Sequence, residues 1–451
     1  SDRVTVRHGA GLALLEIAPR LTVDQRNEVS VELCRGLELG QQEFTKYIPD
    51  YLGRLALWLP PEQLDECLAD LGVTLSASSS RIVTPVLDTV GVIYEEYDIY
   101  HQRFPEEPEE ACLRRRDRLL GMLMRGLAGI DGETRQEAML VLGQRVFGSA
   151  QLSNGEKSRA FPLTARKLLT TCRQEDGDAL SFYYRASMLG RLYRFLTAQR
   201  LRGGFTFEAP RPIAFFPGTF DPFTLSHKGI AHAIREMGFE VYLAVDEFSW
   251  SKKAQPSLVR RQIVSMSVAD EFDVYLFPHD IPVNLATPED LDRLREVFSG
   301  RELYLAVGSD VVANASSYKA APVPGSVHSM NHIVFRRSSD AEGREIDADL
   351  GCISGRIIQL QLPTHLEDIS STRIRENIDL GRDISTLIDP VVQDFIYRNS
   401  LYLREPQYKR ILRAGDLEFS HISQPDRHLW PAMPTGCSMN IMMKAMPNRT
   451  F

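Results

Sequence analysis

Residues 217–227 read PGTFDPFTLSH and follow the apolar run Ile213-Ala214-Phe215-Phe216. Their types and spacing suit an anion. Gly218 lacks the Cβ that would stand between the backbone and a phosphate. The N–H groups around Thr219 and Phe220 are able to converge on that anion as a nest, and Asp221-Pro222 makes a stiff turn. Ser226 and His227 fall where a helix begins, with unpaired N–H groups and a dipole that favour negative charge. His227 there can donate to a phosphoryl oxygen, more strongly when protonated. Thr224 offers a hydroxyl on the same side. A helix-capping histidine satisfied by backbone is the plainer account of the same residue.

These residues need a scaffold that ends a strand near Gly218 and starts a helix near His227. From residue 213 onward the texture supplies one. Apolar runs at 213–216, 241–245, 272–276, 303–307, 332–335 and 357–362 alternate with helical segments at about 226–237, 257–269 and 288–298. Helices near 371–378 and 390–398 close the region. Strands apolar on both faces, separated by helices, predict a parallel sheet covered by helices. Such sheets bind ligands at the carboxyl ends of their strands, where PGTFDPFTLSH stands.

Residues 1–201 have a helical texture, with apolar residues at three- and four-residue spacing. A weak echo runs through them: YLGRLA at 51–56, TVGVIY at 89–94, VLGQRV at 141–146 and MLGRLY at 188–193. The echoed glycines, Gly53, Gly91, Gly143 and Gly190, are separated by 38, 52 and 47 residues. This half resembles a HEAT-like or armadillo-like array; an irregular helical bundle explains the same pattern. Its densest basic run, RRRDR at 114–118, is expected on a solvated helix face. RGGFTFEAPRP, 202–212, reads as a linker. The expected division is therefore a helical domain at 1–201, the linker, an α/β domain at 213–404, and a C-terminal extension or the start of a further domain at 405–451.

Bulk properties narrow the function classes. The 451 residues exceed one core and predict two or three domains. The net charge of −8 argues against bulk attraction to nucleic acid or an anionic membrane, so an anionic ligand must be held by a local basic cluster. Cys34, Cys67, Cys112, Cys172, Cys352 and Cys437 form no CxxC and no zinc spacing, which predicts reduced thiols and a cytoplasmic protein. No apolar run reaches membrane-span length, and no signal peptide is visible. His232, His279, His328, His332 and His365 show no ligand spacing and are read as structural.

The motifs carry a resemblance. GTFDPFTLSH resembles the first signature of the nucleotidyltransferase superfamily, GxFDPxHxGH or GTFDPxTxGH. ISSTRIREN, 369–377, resembles its second phosphate-binding signature, ISSTxIR. LYLAVGSD, 303–310, is similar to the strand ending in G-(A/S)-D that contacts nucleotide in nicotinate- and nicotinamide-mononucleotide adenylyltransferases. LIDPVVQDFIYRNSLY, 387–402, is similar to the last helix of the nicotinate-mononucleotide enzymes. The resemblance covers about 211–402 and implies a Rossmann-like nucleotidyltransferase domain. It also implies a reaction, in which a substrate phosphate oxygen attacks the α-phosphorus of a nucleoside triphosphate and pyrophosphate leaves. A phosphate nucleophile is already ionised, so alignment and charge neutralisation suffice. No nucleophile elbow, HExxH or Walker A is apparent in the sequence.

By that resemblance His227 and Arg375 hold the triphosphate, with Ser371 and Thr224 beside them. Ser370, Ser371 and Thr372 begin a helix whose hydroxyls and N–H groups bind an anion. Gly218, Thr219, Phe220, Asp221, Ser226, Gly308, Ser309, Asp310 and Ile369 complete the implied nucleotide contacts, although Ile369 and Ile374 also read as core. Arg373 reads as surface. Lys252, Lys253 and Arg261, in the basic stretch SWSKKAQPSLVRRQ, are phosphate-binding candidates. Two departures stand out: Thr224 replaces a frequent His, and Ser226 replaces the usual Gly, where a Cβ would narrow the phosphate approach. No aligned acidic metal site is found, so Mg²⁺ is expected on the triphosphate oxygens and waters; Asp221 is the nearest carboxylate. The implied partners are ATP and a small phosphate-bearing acceptor, with a protein partner on the helical half. Nicotinate or nicotinamide mononucleotide is favoured as acceptor. The alternatives are a phosphopantetheine-type adenylyltransferase, to which the first motif alone is most similar, and a cytidylyltransferase, the runner-up, whose RTxGxSTT form of the second motif is absent here. A nucleotide-binding scaffold or sensor with a degenerate site is the reading from a different class.

Overall fold

The computed structural model describes residues 4–40, 45–76, 79–171, 179–205, 209–246, 254–336 and 350–403. The chain divides into two compact units, Ser1–Leu403 and Arg404–Phe451. The described residues all lie in the first, and the expected extension at 405–451 lies outside them.

The helical half is a two-layer array. One layer holds α1 (Val4–Ile17), α3 (Ile48–Ala56), α5 (Ser80–Glu95), α8 (Gly132–Val141) with a π-helical segment at Leu142–Phe147, and α10 (Ala179–Leu201). The other holds α2 (Val23–Glu38), α4 (Pro61–Thr74), α7 (Glu109–Leu127) and α9 (Asn154–Thr171), with the short α6 (Tyr97–Arg103) beside it. Local signals set the boundaries. Thr22 and Gln25 form a capping box at the start of α2, and Pro61 occupies the first turn of α4. The glycine echo has a packing origin. A Cβ on Gly53 would fall 2.6 Å from Val92 of α5, one on Gly91 would strike Val141 at the end of α8, and one on Gly143 would fall 3.2 Å from the Met188 backbone of α10. Each of these three glycines therefore lets its helix settle on the next echoed segment.

The basic run at 114–118 corrects the sequence expectation. Arg115 and Arg116 are buried, not solvated. Arg115 donates to Asp65 at 2.8 Å, to Glu107 at 2.6 Å and to the Tyr97 hydroxyl at 2.7 Å. Arg116 pairs with Asp98 and, at 3.2 Å, with Glu156. Both sit on the inward face of α7, where carboxylates from α4, α6, the loop before α7 and α9 make burial tolerable. Arg114, with 66% of its side chain exposed, and Arg118 have the expected exposure.

The C-terminal half is a six-stranded parallel sheet in the order β3-β2-β1-β4-β5-β6. The strands are β1 (Ile213–Gly218), β2 (Glu240–Val245), β3 (Val274–Leu276), β4 (Leu303–Gly308), β5 (Asn331–Arg336) and β6 (Ile357–Gln361). Between and after them run α11 (Leu225–Glu236), α12 (Ser257–Ser267), α13 (Pro288–Val297), α14 (Ser309–Asn314), α15 (Ser316–Lys319), α16 (Thr364–Glu367), α17 (Ser371–Asp379) and α18 (Pro390–Arg398). Alternation along β1 builds a core on each face. Ala214 and Phe216 join Ile230, Ile263, Ile374 and Val392 on one side, while Ile213 and Phe215 join Leu291, Leu294 and Leu305 on the other. β3 is shorter than the expected 272–276, because Phe272 packs into the helical core instead and Asp273 has φ 58°.

Layer two of the helical half is fastened to the sheet domain. Arg166 donates to Glu240 at 2.7 Å and to the Tyr242 hydroxyl at 3.0 Å. Lys167 Nζ donates to the carbonyls of Val268 and Val274 at 2.7 and 3.1 Å, and burial pulls its ammonium down to about 8. No disulfide joins the described cysteines.

Candidate active site

A cleft of about 1180 Å³ opens at the carboxyl ends of β1 and β4. Here the strand order reverses, so the loops after β1 and β4 diverge and leave a crevice between them. Gly218–Asp221, His227, Gly308, Asp310, Ser371, Thr372, Arg375 and Arg261 all line it. The two signatures, distant in sequence, thus meet on one wall.

The first motif is held by ring packing and a capping box. Phe220 takes φ 48°, a left-handed conformation uncommon for an aromatic residue. Its ring packs edge-on to Phe216, Phe223 and His227, at 5.4, 5.1 and 5.2 Å between centroids. A Cβ on Gly218 would fall 2.6 Å from the Phe220 ring, so this close approach requires glycine. Thr224 caps α11: its Oγ1 accepts the His227 N–H at 3.2 Å. In return His227 Nδ1 accepts the Thr224 N–H at 3.0 Å, with Thr224 Oγ1 also 3.0 Å away. A ring whose Nδ1 accepts a backbone N–H carries its neutral-state proton on Nε2. That tautomer is able to donate to a phosphoryl oxygen.

Two expectations on this motif change. The Thr224 hydroxyl faces His227, is 1% exposed and does not line the cleft. It acts on the ring instead of on a ligand. Ser226 is fully buried and absent from the cleft wall, and its Oγ has no hydrogen-bond partner among the described residues. Its Cβ therefore does not narrow the approach of a phosphate, because at the second position of α11 the side chain turns inward.

The second motif is tied to the first. Ser370 caps α17 by accepting the Arg373 N–H at 3.2 Å. Ser371 Oγ donates to the Pro222 carbonyl at 2.8 Å. Arg375 donates to the Asp221 carbonyl and, at 3.2 Å, to Thr372 Oγ1. Arg373 is exposed, while Ile369 and Ile374 are core; Ile369 does not reach the cleft. Asp221 serves as a hub: its Oδ1 accepts the Gln255 N–H at 3.1 Å and the Tyr402 hydroxyl at 2.9 Å. Burial first, and the Asp221 charge second, raise the Tyr402 hydroxyl, so it stays protonated and donating. With its carboxylate engaged in the protein, Asp221 is poorly placed as a metal ligand.

Across the cleft, a Cβ on Gly308 would strike the Asp310 carboxylate and come within 3.2 Å of Phe335, so Gly308 too marks a close approach. Ser309 is buried and does not line the cleft. Arg261 lines it and donates to the Phe277 carbonyl at 3.0 Å. Lys252 and Lys253 lie outside the described residues.

The family model described as Cytidylyltransferase-like matches residues 215–377, the segment that builds this cleft. The chain carries a cytidylyltransferase-like nucleotidyltransferase domain. Curated relatives agree on the class. A probable nicotinate-nucleotide adenylyltransferase of Flavobacterium johnsoniae is 26% identical over 197 residues, covering 42% of this chain and 98% of that protein. One from Clostridium perfringens is 27% identical over 211 residues, covering 43% and 100%. One from Chromobacterium violaceum is 28% identical over 219 residues, covering 42% and 98%. Among solved structures, the Plasmodium falciparum nicotinic acid mononucleotide adenylyltransferase complexed with APC aligns at 18% identity and a TM-score of 0.35, covering 43% of this chain and 97% of that one.

Several residues in and around the cleft were not legible as motifs. Arg260, next to the candidate Arg261, is buried and donates to the carbonyls of Thr219, Asp246 and Gln255, so it braces the first motif from behind. His279, expected to be structural, lines the cleft within the loop 277–286. Lys228, the neighbour of His227, donates to Asp270 at 2.8 Å and lies 3.7 Å from Asp389. Arg125 of the helical half closes this cluster, reaching Asp389 at 2.9 Å and Asp270 at 3.1 Å. Burial alone would raise the Asp270 carboxyl, but Lys228 and Arg125 hold it below the usual range. The doublet in VRRQ was a signal for Arg260, since adjacent helix positions face different ways; nothing local marked Arg125. Among the described residues no three His, Cys, Asp or Glu side chains converge to hold a metal, and no helix is long and apolar enough to cross a membrane.

Proposed function

We propose that this chain is an adenylyltransferase that moves AMP from ATP to the phosphate of a mononucleotide, with nicotinate mononucleotide the favoured acceptor. The observation that carries the reading is the convergence of His227, Ser371, Thr372 and Arg375 on one wall of the cleft. The full-length match to relatives named for nicotinate-nucleotide adenylyl transfer supports the acceptor. In this reading the acceptor phosphate oxygen attacks the α-phosphorus in line. The bond to the β-phosphate oxygen breaks, and pyrophosphate departs. His227 Nε2–H and the Arg375 guanidinium offset the charge that accumulates on the leaving group, and the α11 and α17 N-termini add their dipoles. Mg²⁺ enters as part of the substrate, on the triphosphate and its waters. The same reading places the enzyme in the cytoplasm.

The test is pyrophosphate release with Mg²⁺, comparing ATP with CTP. The acceptors are nicotinate mononucleotide, nicotinamide mononucleotide and phosphopantetheine. The expected result is release with ATP and a mononucleotide, reduced about a hundredfold or more in His227→Ala. Silence across the panel, with ATP still binding by calorimetry, would sink the enzyme reading and leave a nucleotide-binding scaffold.

A further inference from the structure

The array's series of crossings ends at α10 on an open face. Gly11 abuts Tyr51, Gly53 abuts Val92, Gly91 abuts Val141 and Gly143 abuts Met188, so each first-layer segment packs closely on the next. At Gly190 an added Cβ would meet nothing within 4 Å among the described residues. The face around it is shaped like the buried crossings. At about 100° per residue, Ala186, Gly190 and Thr197 run down its middle. Tyr183 and Arg194 stand on one flank, Phe182 and Tyr193 on the other. Phe182, Tyr183 and Tyr193 are 66%, 68% and 69% exposed. Terminal repeats of stacked arrays ordinarily turn a polar face to water; this one turns three aromatic rings.

We propose that this face binds a second copy of the chain, with α10 packed antiparallel on α10 across a two-fold axis. Continuity supports a helix as occupant, because the face repeats the crossing that the array makes internally. Self-complementarity selects a second copy. An axis at the level of Met188 sets each flank against the same flank of the second copy, so Phe182 faces Tyr193, Ala186 faces Gly190 and Tyr183 faces Arg194. These pairs are aromatic on aromatic, small on small, and guanidinium on ring. The small pair lets the helix axes approach to about 8 Å. Arg194 is kept on this face by donating to the Gly190 carbonyl at 3.4 Å. One helix pair lies at the low end of specific interfaces, below about 1,200 Å², so association falls in the micromolar range.

Sedimentation velocity of the full chain from about 1 to about 100 μM tests this. The expected result is a shift from monomer to dimer that saturates at two chains. Gly190→Leu fills the open face, meets no clash at its Cβ among the described residues and raises helix propensity, so it keeps the unfolding temperature while weakening the dimer at least about tenfold. Tyr193→Glu gives the same loss by placing charge opposite Phe182. An equimolar mixture of Ala186→Cys and Gly190→Cys chains crosslinks between the two variants more than either does alone. A chain monomeric throughout the range, a dimer that survives both Gly190→Leu and Tyr193→Glu, or assemblies that grow beyond two chains would each overturn the two-fold pairing.

Discussion

Replacing Thr224 by Ala tests whether a residue that never touches the cleft governs one that does. The substitution removes the hydroxyl that accepts the His227 N–H at 3.2 Å and sits 3.0 Å from Nδ1. Losing a threonine N-cap costs about 0.5–2 kcal/mol. The upper part of that range applies here, because at 1% exposure no water replaces the hydroxyl. The lost methyl adds about 0.8 kcal/mol. The total is about 2–3 kcal/mol, which for a unit this size lowers the unfolding temperature by about 3 °C. The Thr224 backbone N–H still reaches Nδ1, so the ring is loosened, not released, and kcat for pyrophosphate release falls about tenfold with a smaller change in KM for ATP. Thr224→Ser restores the cap and most of the activity. Equal behaviour of the Ala and Ser variants would refute the reasoning, since it would remove the hydroxyl from both effects. A stability loss with kcat unchanged would leave the cap and refute the control of His227.

Two further outcomes follow from the geometry. Arg125→Met leaves Asp270 and Asp389 facing Lys228 alone, and breaking this buried cluster costs about 2–4 kcal/mol by urea unfolding; Arg125→Lys recovers part of it, and equal losses for the two would show that charge is not the cause. His332, fully buried between the Tyr318 hydroxyl at 2.8 Å and the Met330 carbonyl at 2.9 Å, is driven by burial from 6.5 down to about 4. Below pH 6.5 the unfolded chain takes up a proton that the folded chain refuses, so this stability is present above 6.5 and is lost as pH falls through about 4. The loss reaches about 3 kcal/mol, and His332→Asn, measured by urea unfolding at pH 7.5 and 4.5, has a correspondingly flatter pH dependence. Identical pH dependence in the two proteins would remove His332 as its source.

The sequence by itself determined the local parts of this protein. GTFDPFTLSH and ISSTRIREN announce strand ends and helix starts, because Gly, Asp-Pro and Ser-Ser act on the backbone within a few residues. The strand and helix alternation was legible for the same reason, as were the apolar strands that face two cores. The glycine echo was visible as a pattern, but its meaning was not: only packing shows that Gly53, Gly91 and Gly143 lie at helix crossings and that Gly190 faces open space. Tertiary structure alone decided which polar groups are buried and who neutralises them. Arg115 and Arg116 read as solvated until Asp65, Glu107, Asp98 and Glu156 arrive from other segments. Ser226 read as a cleft residue and His279 as a structural one, because direction along a helix or loop depends on what the element packs against. Arg125 had no signal at all, since its partners Asp270 and Asp389 lie 145 and 264 residues away. Short-range chemistry is written in neighbouring residue types; the pairing of charges across such distances exists only once the chain has closed.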